Sequence, residues 1–144
     1  MRLVVPSIAT DAPIDQMGLL PNGDMEAPTG GVNTGWYKLG SRPGDVGSAV
    51  IAGHFGRWKN GEASVFDRLR DLKKGEKVIV RDDAGATVTF AVRETRTLGR
   101  EDDASAVFTS GDSKAHLNLI TCQGMWDESQ KTYSERLVVF TDRE

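Results

Sequence analysis

One thiol, two imidazoles and a late arginine carry most of the reactive potential in this chain. Cys122 is the sole cysteine and closes the apolar run LNLITC, residues 117–122. A lone cysteine makes no internal disulfide and no cysteine-based zinc site, so any thiol chemistry runs through Cys122. A thiol works as a nucleophile near neutral pH when a base or a cation lies beside it, and histidine is the usual partner. His54 stands in VIAGHFG, residues 50–56, with Gly53 and Gly56 around it. Glycines there let backbone or substrate come close. The other histidine, His116, lies six residues before Cys122, roughly 20 Å along an extended strand and out of contact range. Arg136, in SERLVVF (134–140), brings a permanent cation able to stabilise a developing oxyanion or orient a carbonyl. Each residue also has a plainer reading: a buried thiol, a loop histidine bonded to backbone, and an arginine paired with Glu135 or Asp127.

Strands must position these groups. Alternation along 115–122 puts His116, Asn118, Ile120 and Cys122 on one face and Leu117, Leu119 and Thr121 on the other. The leucine face reads as core. Cys122 falls on the less apolar face at the strand's last position, beside a loop, where a reactive group meets both scaffold and solvent. Further strands are expected at 2–8, 48–54, 76–82, 87–98 and 135–142, with DAG (83–85) turning a hairpin. Arg136 opens the last of them, with Val138 and Phe140 on its own face. A helix is expected at 64–72, capped by Ser64 with Asp67 in its first turn, Phe66 and Leu69 on one face and Gly75 at its end. A helical turn is expected within 30–37.

Eleven of the 16 glycines fall between residues 18 and 61, and no proline follows Pro43, so turns and short strands fill the front of the chain. Many short strands separated by turn signals predict a mainly β fold, a small barrel or sandwich. The 144-residue length suits one domain spanning 1–144, without repeats or an internal linker. With 38% hydrophobic and 27% charged residues the composition is globular. The net charge of −3 argues against non-specific nucleic-acid binding. No run of 18 apolar residues and no signal-peptide pattern is visible.

Leu119-Ile120-Thr121-Cys122 resembles the Leu-x-Thr-Cys motif of the sortases. In that family a histidine at a strand end precedes the cysteine by several dozen residues, and an arginine follows it by a little over a dozen. Here His54 precedes Cys122 by 68 residues and Arg136 follows it by 14. VIAGHFG is similar to the family's histidine segment, and SVFDRLRDLKKGEKVIV (64–80) to the helix, turn and strand after it. AGH and ITCQG are most similar to the actinobacterial class E and F enzymes, with class F the nearer. The resemblance implies a closed eight-stranded β-barrel with one or two short helices, and a cysteine transpeptidase needing no cofactor. Its substrate would be a Leu-Pro-x-Thr-Gly-like sorting signal cut between Thr and Gly, its acceptor an amine of the cell wall or of a pilin. By the same resemblance Cys122 is the nucleophile, His54 the acid/base and Arg136 the oxyanion and substrate holder. Thr121 would help shape the substrate pocket. The family's catalytic domains work outside the cell on a membrane anchor, which this chain lacks, so the native protein is expected at the extracellular face of the membrane.

Two other readings stand beside this one. The L,D-transpeptidases carry a Ser-His-Gly-Cys-x-Arg pattern that NLITCQG does not match. A non-catalytic β-barrel binding module would hold Cys122 as a buried structural thiol that resists alkylation. Glu101, Asp102 and Asp103 offer oxygen ligands for calcium. An ion of that kind takes 6–8 of them, and sequence neighbours rarely converge, so no metal site is expected.

Overall fold

The computed structural model describes residues 1–144 apart from 22, 24, 59, 60, 100, 101 and 128–131; positions 122–127 and 132–133 are described by backbone and strand pairing. Among the described residues there are eight strands: β1 (Arg2–Val5), β2 (Thr10–Met17), β3 (Thr34–Tyr37), β4 (Gly47–Ala52), β5 (Lys77–Arg81), β6 (Thr87–Gly99), β7 (Ala115–Asp127) and β8 (Thr132–Arg143). They close into a barrel in the order β1-β2-β3-β4-β7-β8-β6-β5. Neighbours are antiparallel except β2 with β3 and β4 with β7. Closure gives each strand a paired neighbour on both sides over part of its length. The mainly β barrel expected from the sequence is the fold observed.

Two clusters of buried side chains lie on opposite faces of the wall. The barrel interior holds Leu3, Val5, Ala49, Ile51, Phe90 and Val139 together with Leu117 and Leu119, both 0% exposed. The leucine face of the cysteine strand is therefore core, as its alternation predicts. A smaller cluster of Val50, Val107, Val138 and Phe140 lies on the outer face. It forms because α1 (Ser105–Phe108), the one α-helix among the described residues, packs across β4 and buries Val107.

Several elements differ from the sequence reading. Segment 64–72 forms turns and a single 3-10 turn at Leu69–Asp71. Its buried residues Phe66, Leu69 and Leu72 are spaced by three, the repeat of a 3-10 turn. The bonds Leu69 N–H to Phe66 O and Leu72 N–H to Leu69 O close three-residue loops rather than α-helical ones. The Ser64 hydroxyl is buried without a partner among the described residues, so the side-chain cap does not form. Within 30–37 the ordered element is strand β3, paired to β2 and β4. Strand β2 was not legible in the sequence. Of its inward residues Thr10, Ala12 and Ile14 only Ile14 is strongly apolar, and Pro13 interrupts the pattern. The hairpin over DAG is present: Asp82 Oδ1 accepts the N–H groups of Ala84 and Ala86, and Gly85 takes φ 87°.

Candidate active site

Strand register places the candidate residues. On the outer face β4, β7 and β8 form successive rows: Ser48–His116–Asp142, then Val50–Asn118–Phe140, then Ala52–Ile120–Val138. The next row on β7 and β8 is Cys122 opposite Arg136. Beyond Ala52, Gly53 N–H still bonds Ile120 O at 3.2 Å, and His54 follows it. Positions 54 and 122 thus each lie two residues past the Ala52–Ile120 pair, at the same end of parallel neighbours. Adjacent strands stand about 4.8 Å apart, so the three positions span about 10 Å. Side chains at 122–133 lie outside the described residues, and Cys122 is located here by its backbone alone.

The cysteine strand runs on to Asp127 and β8 starts at Thr132, so neither Cys122 nor Arg136 is a terminal strand residue. The β7–β8 register is regular through Gln123 and shifts between Gln123 and Trp126. Cys122 therefore sits one pair before an irregularity, a feature over-represented beside active sites because it bends the strand. Gly124 lies in the shifted stretch.

The loop carrying His54 is pinned from one side. Phe66 N–H bonds His54 O at 3.0 Å, and Ser64 N–H bonds Gly56 O at 2.8 Å. Gly53 makes this possible, because a Cβ there would lie 2.6 Å from the Phe66 ring. Gly56, at φ 81°, allows the turn that follows. The half-buried His54 ring has Nε2 2.6 Å from the Pro28 carbonyl oxygen and leans on Trp58, with centroids 4.7 Å apart and planes at 41°. Neither Pro28 nor Trp58 was singled out by the sequence. The Pro28 contact is made by backbone and leaves no residue-type signature.

Arg136 is half-buried, and its Nη1 donates to Glu135 O at 3.3 Å. It also pairs across to Leu98 of β6, which joins the outer apolar cluster. Thr121 points the other way. It pairs with Leu137, is 3% exposed, and its hydroxyl has no partner among the described residues. Thr121 therefore belongs to the inner face of the wall, opposite the face of Cys122.

A cavity of about 510 Å³ lies at the opposite end of the same outer face, around Ser48, Arg93, His116, Asn118, Phe140 and Asp142. His116 is 5% exposed there, with Nδ1 2.7 Å from Asp142 and Nε2 2.9 Å from Asp112. Arg93 pairs with Asp142 and Glu94, and Arg96 with Glu94. The Lys114 N–H foremost, and then His116, hold the Asp112 carboxyl down to about 2. This is a mutually satisfied ionic network tying β6, β7 and β8 together, three rows from Cys122. Asp102 and Asp103 accept the backbone N–H groups of Gly99 and Ser105, while Glu101 lies outside the described residues. The Ser105 N–H is also the main reason that Asp103 titrates below the usual carboxylate range.

A closed eight-stranded barrel that brings a histidine, a cysteine and an arginine position level with one another across β4, β7 and β8 leads to the class. The chain matches the family model described as "Sortase domain" over residues 3–144, and it belongs to the sortase family. Among solved structures it is similar to sortase C-1 from Actinomyces oris, at 27% identity and TM-score 0.76, covering 99% of this chain and 72% of that one. It also shares its fold with sortase A from Corynebacterium diphtheriae, at 24% identity and TM-score 0.74, over 99% of this chain and 59% of that one. Sortase C1 of Streptococcus agalactiae has the same fold at 21% identity and TM-score 0.75, with 99% and 66% covered. No curated protein matches the chain by sequence. No helix among the described residues is long and apolar enough to cross a membrane.

Proposed function

We propose that residues 1–144 act as one catalytic domain, a cysteine transpeptidase cutting an LPXTG-like sorting signal between Thr and Gly. The observation that carries this reading is the pairing of Cys122 with Arg136, together with His54 placed level with Cys122 beside it. In the proposed reaction the Cys122 thiolate attacks the Thr carbonyl carbon. The carbonyl oxygen becomes an oxyanion that Arg136 stabilises with N–H donors. Collapse of the intermediate breaks the C–N bond, and His54 gives its proton to the leaving Gly amine. The acyl group then rests on sulfur as a thioester. An incoming amine of the cell wall or a pilin loses a proton to His54, attacks the thioester and releases the thiolate. Thr121 supports the pocket from the inner face. No cofactor enters any step.

Within the family, the AGH and ITCQG segments favour a class E or F enzyme, class F first. The partners that follow are secreted proteins bearing the signal, and the site of action is the extracellular face of the membrane. The test is to incubate the protein with Leu-Pro-x-Thr-Gly and Leu-Ala-x-Thr-Gly peptides plus a free amine, and to read products by mass spectrometry. A new amide at the Thr carbonyl is expected. No product from any peptide, or cleavage elsewhere, would overturn the reading.

A further inference from the structure

Segment 28–31 of the β2–β3 connection reaches His54 without being near it in sequence. The buried Pro28 is seated beside Gly35, where a Cβ would come 3.4 Å from its ring. Gly31 O accepts Val65 N–H at 2.8 Å, and the very next amide, Phe66 N–H, bonds His54 O at 3.0 Å. Two consecutive amides therefore tie the segment and the histidine backbone to one rigid point. From that point Pro28 O meets His54 Nε2 at 2.6 Å. The Trp58 ring, which leans on the imidazole, is backed by Gly31: a Cβ on Gly31 would lie 2.5 Å from Trp58 Cγ.

A carbonyl oxygen only accepts hydrogen bonds, so the ring nitrogen facing it must carry a proton. That holds for the neutral imidazole and for the imidazolium alike. The bond a histidine makes with one nitrogen decides what the other can do. We propose that Pro28–Gly31 is a histidine holder: it locks His54 as the Nε2–H tautomer and makes Nδ1 the only nitrogen that exchanges protons. Pro28, Gly31 and Trp58 are then positioning residues. This rests on the catalytic role proposed above for His54. In that role Nδ1–H protonates the leaving amine as the C–N bond breaks, leaving neutral Nε2–H imidazole. Nδ1 then takes a proton from the incoming amine, while the Nε2 proton stays on Pro28 O throughout.

The experiment is nitrogen-15 NMR of the two histidines in the full chain, assigned with His116→Gln and His54→Gln. With the imidazole neutral, Nε2 is expected as the protonated, pyrrole-type nitrogen and Nδ1 as the pyridine-type one. Gly31→Ala, which forces Trp58 aside, should convert this into a mixture of tautomers. It should lower kcat by about 10–10²-fold, the usual cost of misplacing a reacting group, with KM little changed. If Gly31→Ala does not fold, Trp58→Leu removes the stacking ring without adding atoms at Gly31 and is read the same way. A neutral His54 protonated on Nδ1 in the wild-type chain would overturn the holder. So would a variant that loses the single tautomer yet keeps its kcat. Full turnover in His54→Gln with the Nε2–H signature intact in the wild type would instead sink the catalytic reading, and with it the role given to Nδ1.

Discussion

Cys122 and Arg136 are directly opposed in the antiparallel β7–β8 ladder, so the two positions share the outer face of the barrel wall. That pairing closes the row of candidate residues and sets what each substitution should do.

Cys122→Ala should abolish peptide cleavage and the thioester adduct while the barrel still folds. The wild-type thiol should react with iodoacetamide in the native protein. Protection from alkylation until the protein unfolds would identify a structural cysteine instead.

The two histidines should separate cleanly. His54→Ala should lower turnover by about 10²–10⁴-fold, the range for a general acid–base group. His116→Ala should leave turnover per folded molecule unchanged. It should destabilise the fold by about 0.5–3 kcal/mol, because a buried ring that meets Asp142 through Nδ1 and Asp112 through Nε2 is lost. Chemical denaturation and steady-state assays on both variants check this, and a crippled His116→Ala with a sound fold would reverse the assignment.

Arg136→Lys keeps the charge and loses the planar fork. Single-turnover acylation should slow by about 10²–10³-fold, as for loss of an oxyanion donor. Melting temperature should be measured on the same preparation. A destabilised variant that acylates at the wild-type rate would remove Arg136 from the reaction.

Asp112 should contribute to acid stability. Its carboxyl is lowered from 3.8 to about 2, so the unfolded chain takes up the proton first as pH falls. The stabilisation is complete above 3.8 and is lost as pH drops through about 2. The stability gap between wild type and Asp112→Asn should be constant at higher pH and close across that window. A gap that persists at pH 2 would exclude the carboxylate as its source.

What the sequence by itself determined is the part written in local patterns. Alternation separated Leu117 and Leu119 from the Cys122 face, and β-branched runs located β1, β4, β5, β6, β7 and β8. The DAG stretch at 83–85 marked the hairpin. The spacing of His54, Cys122 and Arg136 resembled one family, and the match over 3–144 agrees. Strands β2 and β3 escaped because their parallel partnership is non-local, and their residues satisfy it without strong β patterning. The 64–72 segment reads as a helix until tertiary bonds to Gly31, His54 and Gly56 hold it as turns. Only the closed barrel decided that β4 and β7 run side by side in parallel, which brings residues 68 apart in sequence level with one another. It likewise decided that a backbone carbonyl from residue 28 meets the His54 ring. Contacts of that kind depend on register and loop path, and a carbonyl oxygen is the same in every residue type.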